Sequence, residues 1–316
     1  MKISVIDPIT PAWNHMVRIL FKPFAFKKWL ALGFCAFLAQ CGDSGGAGSN
    51  SVPNQSTGNS FEQGRVWIDA NFGLFLAFLL TGIGIIILVS LLITWLSSRG
   101  KFMLLDGIVK NQGAIKEPWN EYKTEGNSLF LFSIVTGLAL FFGLALIGGL
   151  ATLIALPDIQ NETFSTSAIT AIVVGGPLLF LYIIACIAFS FIVKVLMVPA
   201  MYLKRVRAIQ GWKIAWSQLF KGHVGSSILL LLMMFLLAIG SGTVAMFAIC
   251  ATCCIAALPY VSSVVLLPIT VFFVCYALCY IQQFGDEWTF FKSMCGYCNY
   301  DLEGLDEGSA CPECGK

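Results

Sequence analysis

The sequence predicts an all-α integral membrane fold: about six transmembrane helices, amphipathic helices at the interface, and a small cysteine-rich module at the C-terminus. Three observations predict it. First, 58% of the 316 residues are hydrophobic and only 11% are charged, where a soluble domain carries about 25%. A chain this apolar cannot bury its surface in one aqueous core, so lipid must solvate much of it. Second, five long runs hold no Lys, Arg, Asp, Glu or His: Phe72–Leu96, Leu129–Leu156, Ala168–Val193, Ser227–Leu258 and Val261–Phe284. Each exceeds the ~20 residues a helical crossing needs. Third, the basic residues gather between alternate runs. Lys194–Gly225 holds Lys194, Lys204, Arg205, Arg207, Lys213 and Lys221 and no acid. A short loop this basic, flanked by spans, belongs on the cytoplasmic side.

The membrane domain occupies residues 1–290, with spans at 24–40, 72–96, 129–156, 168–193, 227–258 and 261–284. It opens on an amphipathic segment. On a helix, Trp13, Met16, Val17 and Leu20 share one face, and Asn14, His15, Arg18 and Lys22 the other. Phe24–Gln40 is the weakest span, because its clean apolar run is short and it carries Lys27 and Lys28; an interfacial or re-entrant helix is its alternative. Cys41–Asn71 is a Gly-, Ser- and Asn-rich loop. Charge decides for a crossing. With six spans and the N-terminus inside, every Lys and Arg except Arg65 lies on the cytoplasmic side. Both termini are then cytoplasmic, in the cell membrane (for a bacterium, the inner membrane). Small residues four apart, at Ala139/Gly143, Ala145/Gly149 and Ala238/Gly242, allow close helix packing in lipid.

The three cytoplasmic segments share a plan: a Trp on a short helix, a polar turn, then a span. The anchors are Trp13 in PAWNHMVRILF, Trp119 in KEPWNEYKTEGN and Trp216 in IAWSQLFKGHVG. In the third copy Ile209, Trp212, Trp216, Leu219 and Phe220 form one face. Such rings suit the headgroup layer. These Trp-plus-basic segments, the stretch SSRGKFMLLDGIVKNQGAIKEPWNEY and VPAMYL at Val198–Leu203 resemble bacterial membrane proteins of the YciC-like group. They also resemble the membrane domain attached to some glycerophosphodiester phosphodiesterases. The resemblance covers Pro11–Phe284 and implies a helical membrane fold. Its phosphodiesterase activity belongs to a separate soluble domain and does not transfer.

The tail, 291–316, carries the sharpest motif. Cys295 and Cys298, then twelve residues, then Cys311 and Cys314, form two CxxC pairs. At this separation four thiolates surround one tetrahedral Zn²⁺. Asn299 and Gly315, which follow the second Cys of each pair, tolerate the left-handed backbone such knuckles use. A module this short has no core of its own, so zinc supplies its folding energy, on the order of 10 kcal/mol in similar modules. CGYCNYDLEGLDEGSACPECG resembles the short zinc ribbons that end many bacterial proteins. Four thiolates leave no open coordination position, which makes the zinc structural. The surrounding Asp301, Glu303, Asp306, Glu307 and Glu313 have the wrong sign for nucleic acid; a cytosolic protein suits the tail better. Cys250, Cys253, Cys254, Cys275 and Cys279 read as packing residues in apolar runs, and His15 and His223 as interfacial side chains.

These features predict a non-enzymatic membrane protein whose ribbon docks a cytosolic partner. The alternative is a transporter or channel for a neutral or lipid-like solute. Against it, the five strong runs lack the ionisable residues that mark ion and proton paths. An intramembrane enzyme ranks third, since no span offers an acid/base pair. A homo-oligomer stays open.

Overall fold

A computed structural model describes residues 3–41, 71–160, 165–251 and 259–291, together with 310 and 312–315. All regular structure among them is helical: α1 (Ile9–Phe21), α2 (Phe26–Cys41), α3 (Phe72–Val109), α4 (Lys116–Glu121), α5 (Lys123–Gln160), α6 (Thr166–Phe191), α7 (Val198–Lys204), α8 (Ala208–Ile214), α9 (Val224–Ala251), α10 (Pro259–Val265) and α11 (Leu267–Gln282). Ile192–Met197 joins α6 to α7 as π-helix, and Ala215–Phe220 extends α8 in the same way. A 3₁₀ turn at Asp286–Trp288 follows α11.

The helices fall into two zones. The outer zone consists of long apolar stretches with little protein around them. Ile86 on α3, Phe141 on α5, Phe180 on α6 and Phe247 on α9 are 65%, 63%, 64% and 77% exposed. In water such surface would be untenable; in a bilayer it is the expected lipid face. The inner zone is a packed layer built from α1, α2, α7, α8 and α11 around the charged ends of the long helices. Phe102, Met197, Met201, Tyr276 and Tyr280 are fully enclosed there.

Among the described residues, four helical stretches are long and apolar enough to cross a membrane: Phe72–Val109, Lys123–Asp158, Thr166–Lys204 and Val224–Cys250. The other two expected spans take a different form. The first becomes α2, a 16-residue helix. It runs antiparallel to the inner half of α3 and the turn after it, with Leu38 and Ala39 against Gly100, Leu32 against Gly107, and Lys28 against Gly113 in that turn. A Cβ on Gly100 would stand 2.6 Å from the Ala39 nitrogen, so the backbones touch and only glycine fits. Ser97 Oγ also donates to the Ala39 carbonyl at 2.8 Å. The apolar residues of α2 therefore meet protein, which explains why its run is short. The last expected span divides at Leu266, where Pro268 opens α11. Most of α11 is buried, and Cys275 and Cys279 are core residues in it.

Expected faces shift in detail. In α1 the buried stripe is Ala12, Met16, Ile19 and Leu20, while Trp13 is exposed at the rim against Phe272. In α8 and its π extension the buried stripe is Ala208, Gly211, Ala215 and Leu219. Ile209 and Trp216 lie outside it. The small residues win the interior because α8 lies close against α7: a Cβ on Gly211 would collide with Met201. Of the glycines in the small-residue pairs, Gly143 meets the Tyr182 ring of α6, while Gly149 and Gly242 face nothing within 4 Å.

Candidate functional site

The inner ends of α3 and α7 turn sharply at Asn111 and Arg205, both in the left-handed region (φ 55° and 52°). Each turn leads into a short helix and then a long one. This pairing brings α3, α4 and α7 together around a buried carboxylate, Asp106, which is 3% exposed. Tyr122 and Tyr202 donate their hydroxyls to Asp106 Oδ1 at 2.9 and 3.1 Å. Lys110 Nζ lies 2.9 Å from the same oxygen and 3.0 Å from Glu121 Oε2. Arg205 pairs with Glu121 Oε1 and donates to the Tyr122 hydroxyl at 2.9 Å. Its guanidinium also covers the Tyr122 ring, 4.0 Å from the centroid. Phe102, Tyr122 and Tyr202 stack in series, with centroids 5.9 and 5.1 Å apart. A buried charge is costly unless paired and hydrogen-bonded; here one carboxylate receives two hydroxyls and an ammonium.

The electrostatics follow from that closure. Burial pushes the Tyr122 phenol up, and Tyr202 and Asp106 push it further. It therefore stays protonated and can donate to Asp106. Burial opposes the Glu121 carboxylate, but hydrogen bonds from Lys110 and Arg205 outweigh it and hold its pKa below the ordinary value. Burial likewise opposes the Lys110 charge, and Asp106 and Glu121 outweigh it and raise its pKa. Asp106, Lys110, Glu121 and Arg205 thus compensate one another, and their bonds tie three helices together.

Beside it sits an aromatic clamp. Arg99 lies between Trp95 and Trp119, 4.5 and 4.7 Å from the ring centroids, and Nη2 donates to Asn127 Oδ1 at 3.0 Å. Trp119, one of the three expected interfacial anchors, is half-buried over this arginine. Trp216, another, is exposed and stacks between Trp212 and Phe220.

The C-terminal segment closes the layer. Trp288, Phe290 and Phe291 are buried. His15 stacks on Phe291 with centroids 4.0 Å apart, and His223 meets Phe284 edge-on. Burial, and then Arg18, push the His15 pKa down. Lys204 pairs with Glu287 at 2.8 Å and lies over the Trp288 ring. Val5 accepts the Tyr276 hydroxyl, and Ser4 and Gln283 bond to each other twice. The segment around Ser4 and Val5 and the stretch that follows α11 therefore join the same layer.

Of the expected zinc ligands, Cys295, Cys298 and Cys311 lie outside the described residues, as do Cys253 and Cys254. Cys314 lies in a described turn, followed by Gly315 with φ +68°, the left-handed glycine that its sequence position suggested. Among the described residues no three His, Cys, Asp or Glu side chains gather as a metal site.

An apolar cleft of about 380 Å³ borders the network, between α2, α3, α7, α9 and α11. Lys101 and Lys194 line it, as do Gln40 and Thr270.

A family model described as a family of unknown function (DUF7544) matches residues 3–282. The chain belongs to that family. The DUF7544 match takes in the network, the clamp and the cleft, and it ends before the four cysteines. No curated protein and no solved structure matches this DUF7544 chain.

Proposed function

We infer that this is a non-enzymatic integral membrane protein whose inner layer presents a zinc-stabilised tail to a cytosolic protein. The observation that carries this reading is the anchored root of the tail. Trp288, Phe290 and Phe291 are buried, and Lys204 holds Glu287. A root fixed in this way gives whatever follows it a defined starting point beside the basic inner surface. The joining of the N-terminal segment to the end of α11 in that layer supports placing both on one side, and the one-sided distribution of Lys and Arg supports a cytoplasmic side. In this topology α2 and the α10–α11 pair serve as the fifth and sixth membrane helices. The likeness to the YciC-like group forms part of the same reading. The stretches that carry it, Ser97–Tyr122 and Val198–Leu203, contain Asp106, Tyr122 and Tyr202 of the network.

Zinc content tests the proposal. The purified chain should hold one zinc, and Cys311→Ser should lose it while the membrane part unfolds at an unchanged temperature. A photo-crosslinker at residue 303 should then give a discrete protein adduct in cells that the same substitution abolishes. A native chain without zinc would end the ribbon reading. The competing reading, passage of a neutral or lipid-like solute, draws on the apolar cleft; solute uptake into vesicles carrying the protein would favour it.

A further inference from the structure

We propose that the trough between α1, α9 and α11 binds an uncharged single-chain lipid, of the monoacylglycerol kind, with its chain along α1 and its head beside Thr10 and Trp13. This does not rest on the tail-docking reading, and it requires binding rather than passage. The trough has a volume of about 810 Å³, within the range of ~300–1,000 Å³ usual for small-molecule sites. It lies beside the smaller cleft and shares Ile269 and Phe273 with it. Its length is set by α1. Ile9, Thr10, Trp13, Met16, Val17 and Phe21 all line it. They form one stripe from the first residue of the helix to the last, about 18 Å long. A stripe of that length suits an extended chain better than a compact ligand. No Lys, Arg, His, Asp or Glu lines the trough, so a charged head would find no counter-charge there. Of the two hydroxyls that line it, Ser241 is taken up by the Ala238 carbonyl of its own helix at 3.0 Å. Thr10 and the Trp13 indole N–H stand one turn apart on the α1 stripe, where they can meet an ester or hydroxyl head.

The setting selects lipid over a water-borne ligand. On the α9 side Leu236 and Val244 line the trough and are 55% and 59% exposed; on the α1 side Trp13 is 56% exposed. The trough is therefore continuous with the lipid-facing surface of α9, which Phe247 carries further outward, and a lipid can enter it sideways. Water gains little in such a space, because a bound water needs about 2–4 polar partners. Gly240 lies in the α9 wall, and no atom stands within 4 Å of where its Cβ would be. A side chain placed there would occupy the trough without disturbing a neighbour.

Photolabelling of the full chain in phosphatidylcholine nanodiscs, with a monoolein analogue that carries a diazirine in mid-chain, tests the proposal. Labelling of the α1 and α11 peptides that line the trough should saturate, and excess unlabelled monoolein should lower it roughly tenfold. Labelling around Ile86, on the lipid face of α3, should neither saturate nor fall. Gly240→Phe, which sets a ring in the trough, should abolish the saturable labelling. Gly84→Phe, at an equally open position on α3, should leave it unchanged. Oleoyl lysophosphatidylglycerol should compete roughly tenfold less well than monoolein. Labelling of α1 and α11 that does not saturate would overturn the proposal, because ordinary contact with bilayer lipid would then explain it. Equal competition by the anionic lysolipid would overturn it too, since the head would then not be selected. A photo-crosslinking residue in place of Ser241 that gives chain-to-chain adducts would assign the trough to a second copy, and the lipid assignment would fall. If Gly240→Phe does not fold, Ser241→Leu must lower the saturable labelling in its place, and unchanged labelling there would count against the site.

Discussion

The two halves of α3 are one continuous helix in opposite surroundings. From Phe72 to about Leu92 its side chains are largely exposed, and Gly82 and Gly84 have no atom within 4 Å of where a Cβ would stand. From Ser97 to Ile108 nearly every side chain is buried, and Gly100 and Gly107 touch α2. The outer half is constrained chiefly to be apolar and long. The inner half is constrained by particular neighbours, in the way of a soluble core. One helix thus follows two different rules, and substitution should separate them.

The largest contrast is expected at Asp106. Asp106→Ala leaves two buried tyrosine hydroxyls and Lys110 without their shared acceptor. It should lower stability by roughly 3 kcal/mol in thermal unfolding of the detergent-solubilised protein. Thr81→Ala in the outer half removes a hydroxyl bonded only to its own helix, at the Ala77 carbonyl, and should change little. A similar response at both positions would erase the distinction. Glycine gives the next contrast. Gly100→Ala should cost about 1–3 kcal/mol, because the new methyl meets the Leu38 and Ala39 backbone. Gly84→Ala should be neutral or stabilise by up to about 1 kcal/mol, since alanine is the better helix former. The smallest effect is titration of the inner layer. The Glu121 pKa is held below its ordinary value in the folded chain. Its contribution is therefore present above the ordinary carboxylate range, near pH 4.3, and is lost as pH falls through the lower folded-state value. Because Glu121 is a third exposed, the advantage of the native chain over Glu121→Gln should stay under about 1 kcal/mol. That advantage should vanish in acid.

The outer zone was legible in the sequence because lipid reads composition, and Phe72–Leu96 or Ala168–Val193 need no partner to declare themselves. The basic loops were equally plain. The inner zone was not. α2 has the composition of a weak span, yet its neighbour is the Gly100 backbone, and no local pattern reports a contact with a residue sixty positions away. The site was half visible. Ser97–Tyr122 and Val198–Leu203 stood out as stretches, but nothing in either announced that Asp106 would meet Tyr122 and Tyr202. The available signal was one lone carboxylate after FMLL, four residues before Lys110. An acid set in an apolar helical run needs partners. The contact of Trp119 with Arg99 was hidden for a related reason: a tryptophan beside basic residues looks the same in sequence whether or not it covers an arginine.

The π-helix at Ile192–Met197 bears on how these zones can evolve. Each α-helical residue turns the chain by about 100°, and a π-turn holds an extra residue per turn. The segment therefore resets the angular phase between α6, which faces lipid, and α7, which carries Tyr202 to Asp106. It acts as a coupling between two shafts. The outer shaft can lengthen or shorten to match a thicker or thinner bilayer, and the residue count of the coupling can absorb the change. The inner shaft then keeps Tyr202 pointed at its carboxylate.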